Sequence, residues 1–185
     1  MDHAGGTSMF DVERFVSDCC DAVENDPTHT SAAEVMRRAM ADPAAVMAAL
    51  GEPTEPGITA LYQSDNLTIV NLAWKPTVMI PPHNHEMWAV IGIYGGREDN
   101  IFWRRIKDHP QGLIEAAGAR SLTTGDVCPM GPDIIHSVSN PIPRLTAALH
   151  IYGGDFFEAE RSEWEPEGLT EQQLDMAAVR ARFSK

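Results

Sequence analysis

Cysteine and positive charge are both scarce in this sequence. Only three cysteines occur among 185 residues, Cys19, Cys20 and Cys128. The number is odd, two are adjacent and no Cys-x-x-Cys spacing exists, so neither a disulfide framework nor a zinc knuckle is expected and a reducing compartment fits. Lysine and arginine total 14 against 27 acidic residues, a formal net charge of −13. Such a surface repels phosphate backbones and anionic lipid, which argues against nucleic-acid and membrane-surface partners. An anionic substrate would need a local basic pocket. No apolar run approaches the roughly 18–20 residues that span a bilayer, and the first residues, MDHAGGTSMFDVERF, lack the basic and apolar regions of a signal peptide. The expectation is a soluble, cytoplasmic protein.

What is present is ordinary globular composition, 43% hydrophobic and 22% charged, with a length that suits one domain. Phe10, Phe15, Val16, Cys19 and Val23 recur near the helical period, and Ser31-Ala-Ala-Glu34 has the pattern of a capping box. Residues 1–56 therefore predict two or three short helices. Pro53, Pro56 and Gly57 end that region, and the pattern over 57–158 changes to short β-type runs: 59–63, 67–74, 88–94, 100–106, 113–116, 126–130, 135–138 and 145–152. Short strands without intervening amphipathic helices predict an antiparallel sandwich or barrel. Residues 159–185 predict a helical tail, with Thr170 as the cap and Leu174, Ala177 and Ala178 on one face.

The chemistry-bearing stretch is Met79-Ile-Pro-Pro-His83-Asn-His85-Glu-Met87-Trp88. In a strand, residues i and i+2 share a face, so His83 and His85 can aim two imidazoles at one point, as a first-row metal requires. A third ligand is offered by His136, which follows Gly125-Asp-Val-Cys-Pro129-Met-Gly131 on another β-type run. The first stretch resembles the first motif of the cupin superfamily, His-x-His before an apolar strand ending in glycine. The second resembles the second cupin motif, Gly-x-x-x-Pro-x-Gly with a later His-x-x-x-Asn, here His136 to Asn140. At the positions where cupins usually carry a glutamate ligand this chain has Ala89 and Val90, which leaves three histidines.

A three-histidine cupin with helices before the barrel is similar to the cysteine dioxygenase family, a resemblance that covers residues 60–157. It implies a cupin double-stranded β-helix, mainly β, with N-terminal short helices and a C-terminal helix, and a ferrous iron, Fe(2+), held by His83, His85 and His136. Ala148-Leu-His150-Ile-Tyr152 resembles the family's Ser-x-His-x-Tyr run, implying catalytic roles for His150 and Tyr152, with alanine where the serine stands. The family cysteine that cross-links to the tyrosine falls at Val90, so no thioether is expected.

The arginine with which cysteine-oxidising members hold the substrate carboxylate, ahead of the first motif, is missing, since residues 58–80 contain none. Arg97, Arg104 and Arg105 are the substitutes the sequence offers, with Met87 and Trp88 as further pocket walls. The implied function is a non-haem iron thiol dioxygenase that adds O2 to a small thiol to give a sulfinate, its partners being that thiol and dioxygen. Two alternatives stand beside it: a three-histidine cupin that cleaves a carbon–carbon bond of a β-dicarbonyl, and a non-catalytic cupin that binds metal or a small ligand. The sequence leaves the oligomeric state open.

Overall fold

The computed structural model describes residues 9–183. Helices α1 (Val12–Asn25), α2 (His29–Met40) and α3 (Pro43–Leu50) come first. Each begins at a side-chain cap: Asp11, Thr28 and Asp42 accept from the backbone N–H groups of Arg14, Thr30 and Ala45. Such caps satisfy N–H groups that have no partner inside the helix. The expected start at Ser31 is displaced, because Thr28 caps α2 earlier and the Ser31 hydroxyl donates to Asp26 instead (3.1 Å).

The strands are β1 (Gly57–Gln63), β2 (Thr68–Trp74), β3 (Met79–Asn84), β4 (Ala89–Gly95), β5 (Arg97–Arg105), β6 (Ile114–Thr123), β7 (Val127–Met130), β8 (Ile135–Ser139), β9 (Thr146–Tyr152), β10 (Ser162–Trp164) and β11 (Glu171–Gln173). They form two antiparallel sheets, ordered β1-β2-β9-β4-β7 and β11-β10-β3-β8-β5-β6. The architecture is the mainly β double-stranded β-helix that the sequence resemblance implies, with short helices before it and one after it. The central strands β4 and β9 are buried almost throughout because both faces are covered. Their inner side faces the barrel interior, and their outer side packs on the N-terminal helices through Met36, Val90, Leu149 and Ile151.

The ends of the chain differ from the sequence expectation. Strand β6 extends well past residue 116 through Ala-Gly-Ala-Arg-Ser, residues with little intrinsic preference for a strand; pairing with β5 on both sides of a register shift at Ala117 holds them extended. The C-terminal region is not wholly helical. Glu171–Gln173 pair with Ser162–Trp164, and β10 in turn meets β3 where Glu163 lies opposite His83. Tertiary pairing overrides the helical pattern at Thr170, and helix α4 (Met176–Arg182) begins only after Asp175, whose carboxylate accepts from Ala177 N at 2.8 Å. Beyond the strands, Leu174, Val179 and Phe183 close one end of the barrel.

Gly92 shows how closely the helices sit. A Cβ at this position would overlap Met36 Sδ and lie 3.0 Å from Met40 Cγ. Gly92→Ala is therefore expected to destabilise the protein by about 1–3 kcal/mol, the usual range for overpacking. In a double-mutant cycle by chemical denaturation, Met36→Ala should relieve part of that loss, giving a coupling opposite in sign to the single effects. Additive losses would show that the helix does not press on β4 here.

Candidate metal centre

His83 lies near the end of β3, directly opposite His136 of β8. The β3–β8 register shifts between Ile80 and His83, where Pro81 and Pro82 can donate no ladder hydrogen bonds. Strand β3 stops at Asn84, so His85 reaches the same point from the turn that follows, helped by Glu86 in the left-handed region (φ 55°). The expected shared strand face is thus replaced by a bulge and a turn with the same outcome. The ligand-capable nitrogens of His83, His85 and His136 all lie within 4.8 Å of one another.

The imidazoles are prepared as neutral donors. His136 Nδ1 donates to Asn100 Oδ1 (2.7 Å) and His83 Nδ1 donates to the Pro81 carbonyl (2.9 Å), which leaves both Nε2 lone pairs free. Burial pushes the His83 pKa down to about 4, and it holds His85 and His136 well below the usual histidine value, with the neighbouring histidines adding to the effect. His85 Nε2 faces His136 Nε2 at 3.4 Å. Neutral nitrogens converging in this way need a hydrogen or a cation between them, and the donor set suits a divalent first-row metal.

The cavity over these nitrogens is small, about 30 Å³, and is walled by apolar side chains including Ile58, Leu72, Val138 and Phe183. Two polar groups besides the histidines enter it. His150 Nδ1 is hydrogen-bonded to the Tyr152 hydroxyl at 2.9 Å, and burial holds that phenol neutral by pushing its pKa up. Tyr152 stands edge-on to His85, with ring centroids 5.0 Å apart. Arg161 is the second group. It is only 5% exposed, its Nη1 donates to the Phe156 carbonyl (2.8 Å), and its guanidinium lies 4.2 Å over the Phe156 ring. Among the described residues its Nε has no hydrogen-bond partner, and burial lowers its pKa.

Arg97, Arg104 and Arg105 lie elsewhere. Arg97 pairs with Asp99 (2.8 Å), Arg104 with Glu115 (2.7 Å), and Arg105 forks onto Glu171 while lying over Trp164. None of them lines the cavity, and each is held by an acidic partner: Asp99 on the same strand, Glu115 on the neighbouring β6 and Glu171 on the more distant β11. Met87 and Trp88 do not line it either. The Trp88 indole donates outward to the Pro27 carbonyl (2.8 Å), and Met87 packs against Gly154. Asn140, which ends the second motif, ties loops together by donating to the carbonyls of Trp74, Lys75 and Arg144.

Across the β4–β9 pair, Ala89 is opposite Tyr152, whereas Val90 turns toward the helices. Cys128 is paired with Ile91, which separates it from His150. No cysteine among the described residues is placed to bond Tyr152.

Two residues of this site escaped sequence reading. Glu98 is fully buried in β5, and its carboxylate accepts from Trp74 Nε1 (2.8 Å) and Asn100 Nδ2 (2.9 Å). The available signal was the alternation Glu98, Asn100, Phe102, which puts a carboxylate on an inward-facing row. Arg161 offered no signal, because it sits alone in an acidic stretch whose strand pairing has no local pattern.

No protein-family profile matches the chain. Among solved structures it is similar to a deletion mutant of oxalate decarboxylase from Bacillus subtilis at 16% identity, over 58% of this chain and 28% of that one, with a TM-score of 0.43. It is also similar to a double-stranded β-helix protein of Klebsiella pneumoniae (13% identity, 68% and 89% coverage, TM-score 0.39). A cupin superfamily protein of Desulfitobacterium hafniense matches at 20% identity, with 59% and 88% coverage and a TM-score of 0.44. The chain spans just over a quarter of the oxalate decarboxylase chain. At such identities the likeness concerns the fold alone. Among the described residues no helix is long and apolar enough to cross a membrane.

The purified protein is expected to bind one divalent metal ion per chain, and alanine at His83, His85 or His136 should abolish most of that binding. Asn100→Ala, which removes the partner of His136 Nδ1, should weaken affinity roughly 10–100-fold. Metal analysis after dialysis against a graded chelator reads both effects, and full occupancy in His136→Ala would refute the ligand set. Tyr152 should remain an unmodified phenol, so the intact mass should equal the sequence mass, and a loss of two hydrogens mapping to Tyr152 would contradict this placement.

Proposed function

We propose that this protein is a three-histidine, iron-dependent thiol dioxygenase that acts on a short thiol carrying a carboxylate. The observation that carries the reading is a triad of neutral imidazoles in a small cavity that also receives Tyr152 and a buried Arg161 whose Nε has no hydrogen-bond partner among the described residues. Ferrous iron at the three imidazoles would supply dioxygen activation and would lower the pKa of a coordinated thiol.

The protein's own residues account for substrate selection. A buried guanidinium without a carboxylate partner is costly, and an incoming anion removes that cost. Arg161 is thereby suited to hold a carboxylate by charge-assisted hydrogen bonds, with Nε as the open donor. Phe156 fixes its height, since it lies between Arg161 and Tyr152 and stacks on the Tyr152 ring at 4.2 Å. The apolar walls exclude water from the reacting end. A cavity of about 30 Å³ restricts the substrate to few heavy atoms beyond those bound by the metal and the arginine. The likeness of residues 148–152 to the Ser-x-His-x-Tyr run of cysteine dioxygenases supports the same reading.

Anaerobic loading with iron followed by oxygen-uptake measurement across short thiols tests this. Thiol acids should be oxidised to sulfinates, and neutral thiols of the same length should react poorly. Arg161→Ala should lower kcat/KM for the acid by about 10–100-fold, the worth of a charged hydrogen bond, while alanine at Arg97, Arg104 or Arg105 leaves it near the starting value. Equal rates for neutral and acidic thiols would remove Arg161 from the site. Uptake with a β-dicarbonyl and with no thiol would replace the reaction.

A further inference from the structure

His150 is held on one side by Tyr152 and lacks a conventional partner on the other. Among the described residues its Nε2 is buried without a hydrogen bond, and Glu98 Oε2 stands 3.6 Å from it. Two residues before it on the same strand stands Ala148, which has no hydroxyl to offer the ring. Glu98 is the group left to hold this imidazole, and its two oxygens already accept from Trp74 and Asn100. Both of those partners act as donors toward it, so the Glu98 oxygens present lone pairs.

We propose that Glu98 is the positioning residue of the site: it draws the His150 hydrogen onto Nε2, so that Nδ1 accepts the Tyr152 hydroxyl hydrogen and the Tyr152 oxygen turns its lone pairs toward the cavity. Tyr152 is then an acceptor toward whatever occupies the metal site. This reverses the polarity expected if the phenol donates to substrate, and it selects ligands that bring a hydrogen of their own, from an S–H, an O–H or an ammonium group. The ligand class rests on the thiol reading above, whereas the position of the imidazole hydrogen stands on the protein alone.

The same carboxylate reaches the metal ligands. Asn100 donates to Glu98 Oε1, and this sets the amide so that its oxygen accepts from His136 Nδ1. One buried carboxylate thus orders two branches, Glu98-Asn100-His136 and Glu98-His150-Tyr152. Replacing an orienting carboxylate by its amide is known to impose the wrong histidine tautomer in hydrolytic triads, with geometry otherwise intact. Here the amide NH2 of Glu98→Gln, with its oxygen kept on Asn100, would give up the bond from Trp74 Nε1, donate to His150 Nε2 and drive the hydrogen to Nδ1.

The test is nitrogen NMR of protein labelled with ¹⁵N-histidine and loaded with zinc as a diamagnetic probe, His150→Gln serving to assign the signal. Wild-type His150 should show the Nε2–H tautomer with an accepting Nδ1, and Glu98→Gln should convert it to Nδ1–H. Tyr152→Phe, close in shape, should keep the Nε2–H form, because Glu98 and not the phenol sets it. Should Glu98→Gln fail to fold, the wild-type and Tyr152→Phe spectra still decide. An Nδ1–H tautomer or an imidazolium in the wild type, a Glu98→Gln spectrum unchanged from wild type, or a change of tautomer in Tyr152→Phe would each overturn the proposal. The expected tautomer in a protein that oxidises no thiol would defeat the thiol reading alone, and the opposite tautomer in an active thiol dioxygenase would defeat this inference alone.

Discussion

Everything at this site depends on keeping three imidazoles uncharged while they crowd together out of water. Burial enforces neutrality, but neutrality alone leaves each ring free to turn its hydrogen inward. The acceptors at Pro81 and Asn100 remove that freedom for His83 and His136, because they take the Nδ1 hydrogen and leave Nε2 for a cation. The barrel makes this possible by pairing β3 with β8, so that His83 and His136 occupy opposite positions of one ladder. The bulge at two prolines and the turn at Glu86 then bring His85 to the same point.

The second constraint is that charge inside the barrel has to be matched. Glu98 is satisfied by Trp74 and Asn100, and it leans on His150. Arg161 is matched only by a carbonyl and a ring face. Under the proposed function, that asymmetry assigns Glu98 to the scaffold and Arg161 to the ligand. It also explains why the surface arginines are poor candidates, since each already has a carboxylate within ion-pair distance.

Much of the architecture was legible in the sequence because it is written in local pattern. His-x-His before an apolar strand, the glycine-proline-glycine turn ahead of His136, and the change of pattern at Pro53–Gly57 each imposed a recognisable local signal. What could not be read depends on partners remote in sequence. Glu171–Gln173 became a strand because Ser162–Trp164 lay beside it, and β6 stayed extended through alanine and glycine because β5 held it. Arg161 was hidden for the same reason: nothing near it in sequence shows that the loop after β9 folds over Phe156. Arg97, Arg104 and Arg105 drew attention by following the first motif, yet alternation alone could not reveal the acidic neighbours that claim them.

In the proposed function, three imidazoles present an open metal face to a thiol anchored at Arg161. X-ray absorption spectroscopy of the iron-loaded protein, without oxygen and before and after adding a short thiol acid, tests it most directly. The expected result is imidazole scattering fitted by three histidines in the resting protein, with a sulfur neighbour appearing on thiol addition and failing to appear at the same concentration in Arg161→Ala. A resting iron site without the three-imidazole signature, or an unchanged spectrum when the thiol is added to the wild type, would contradict it.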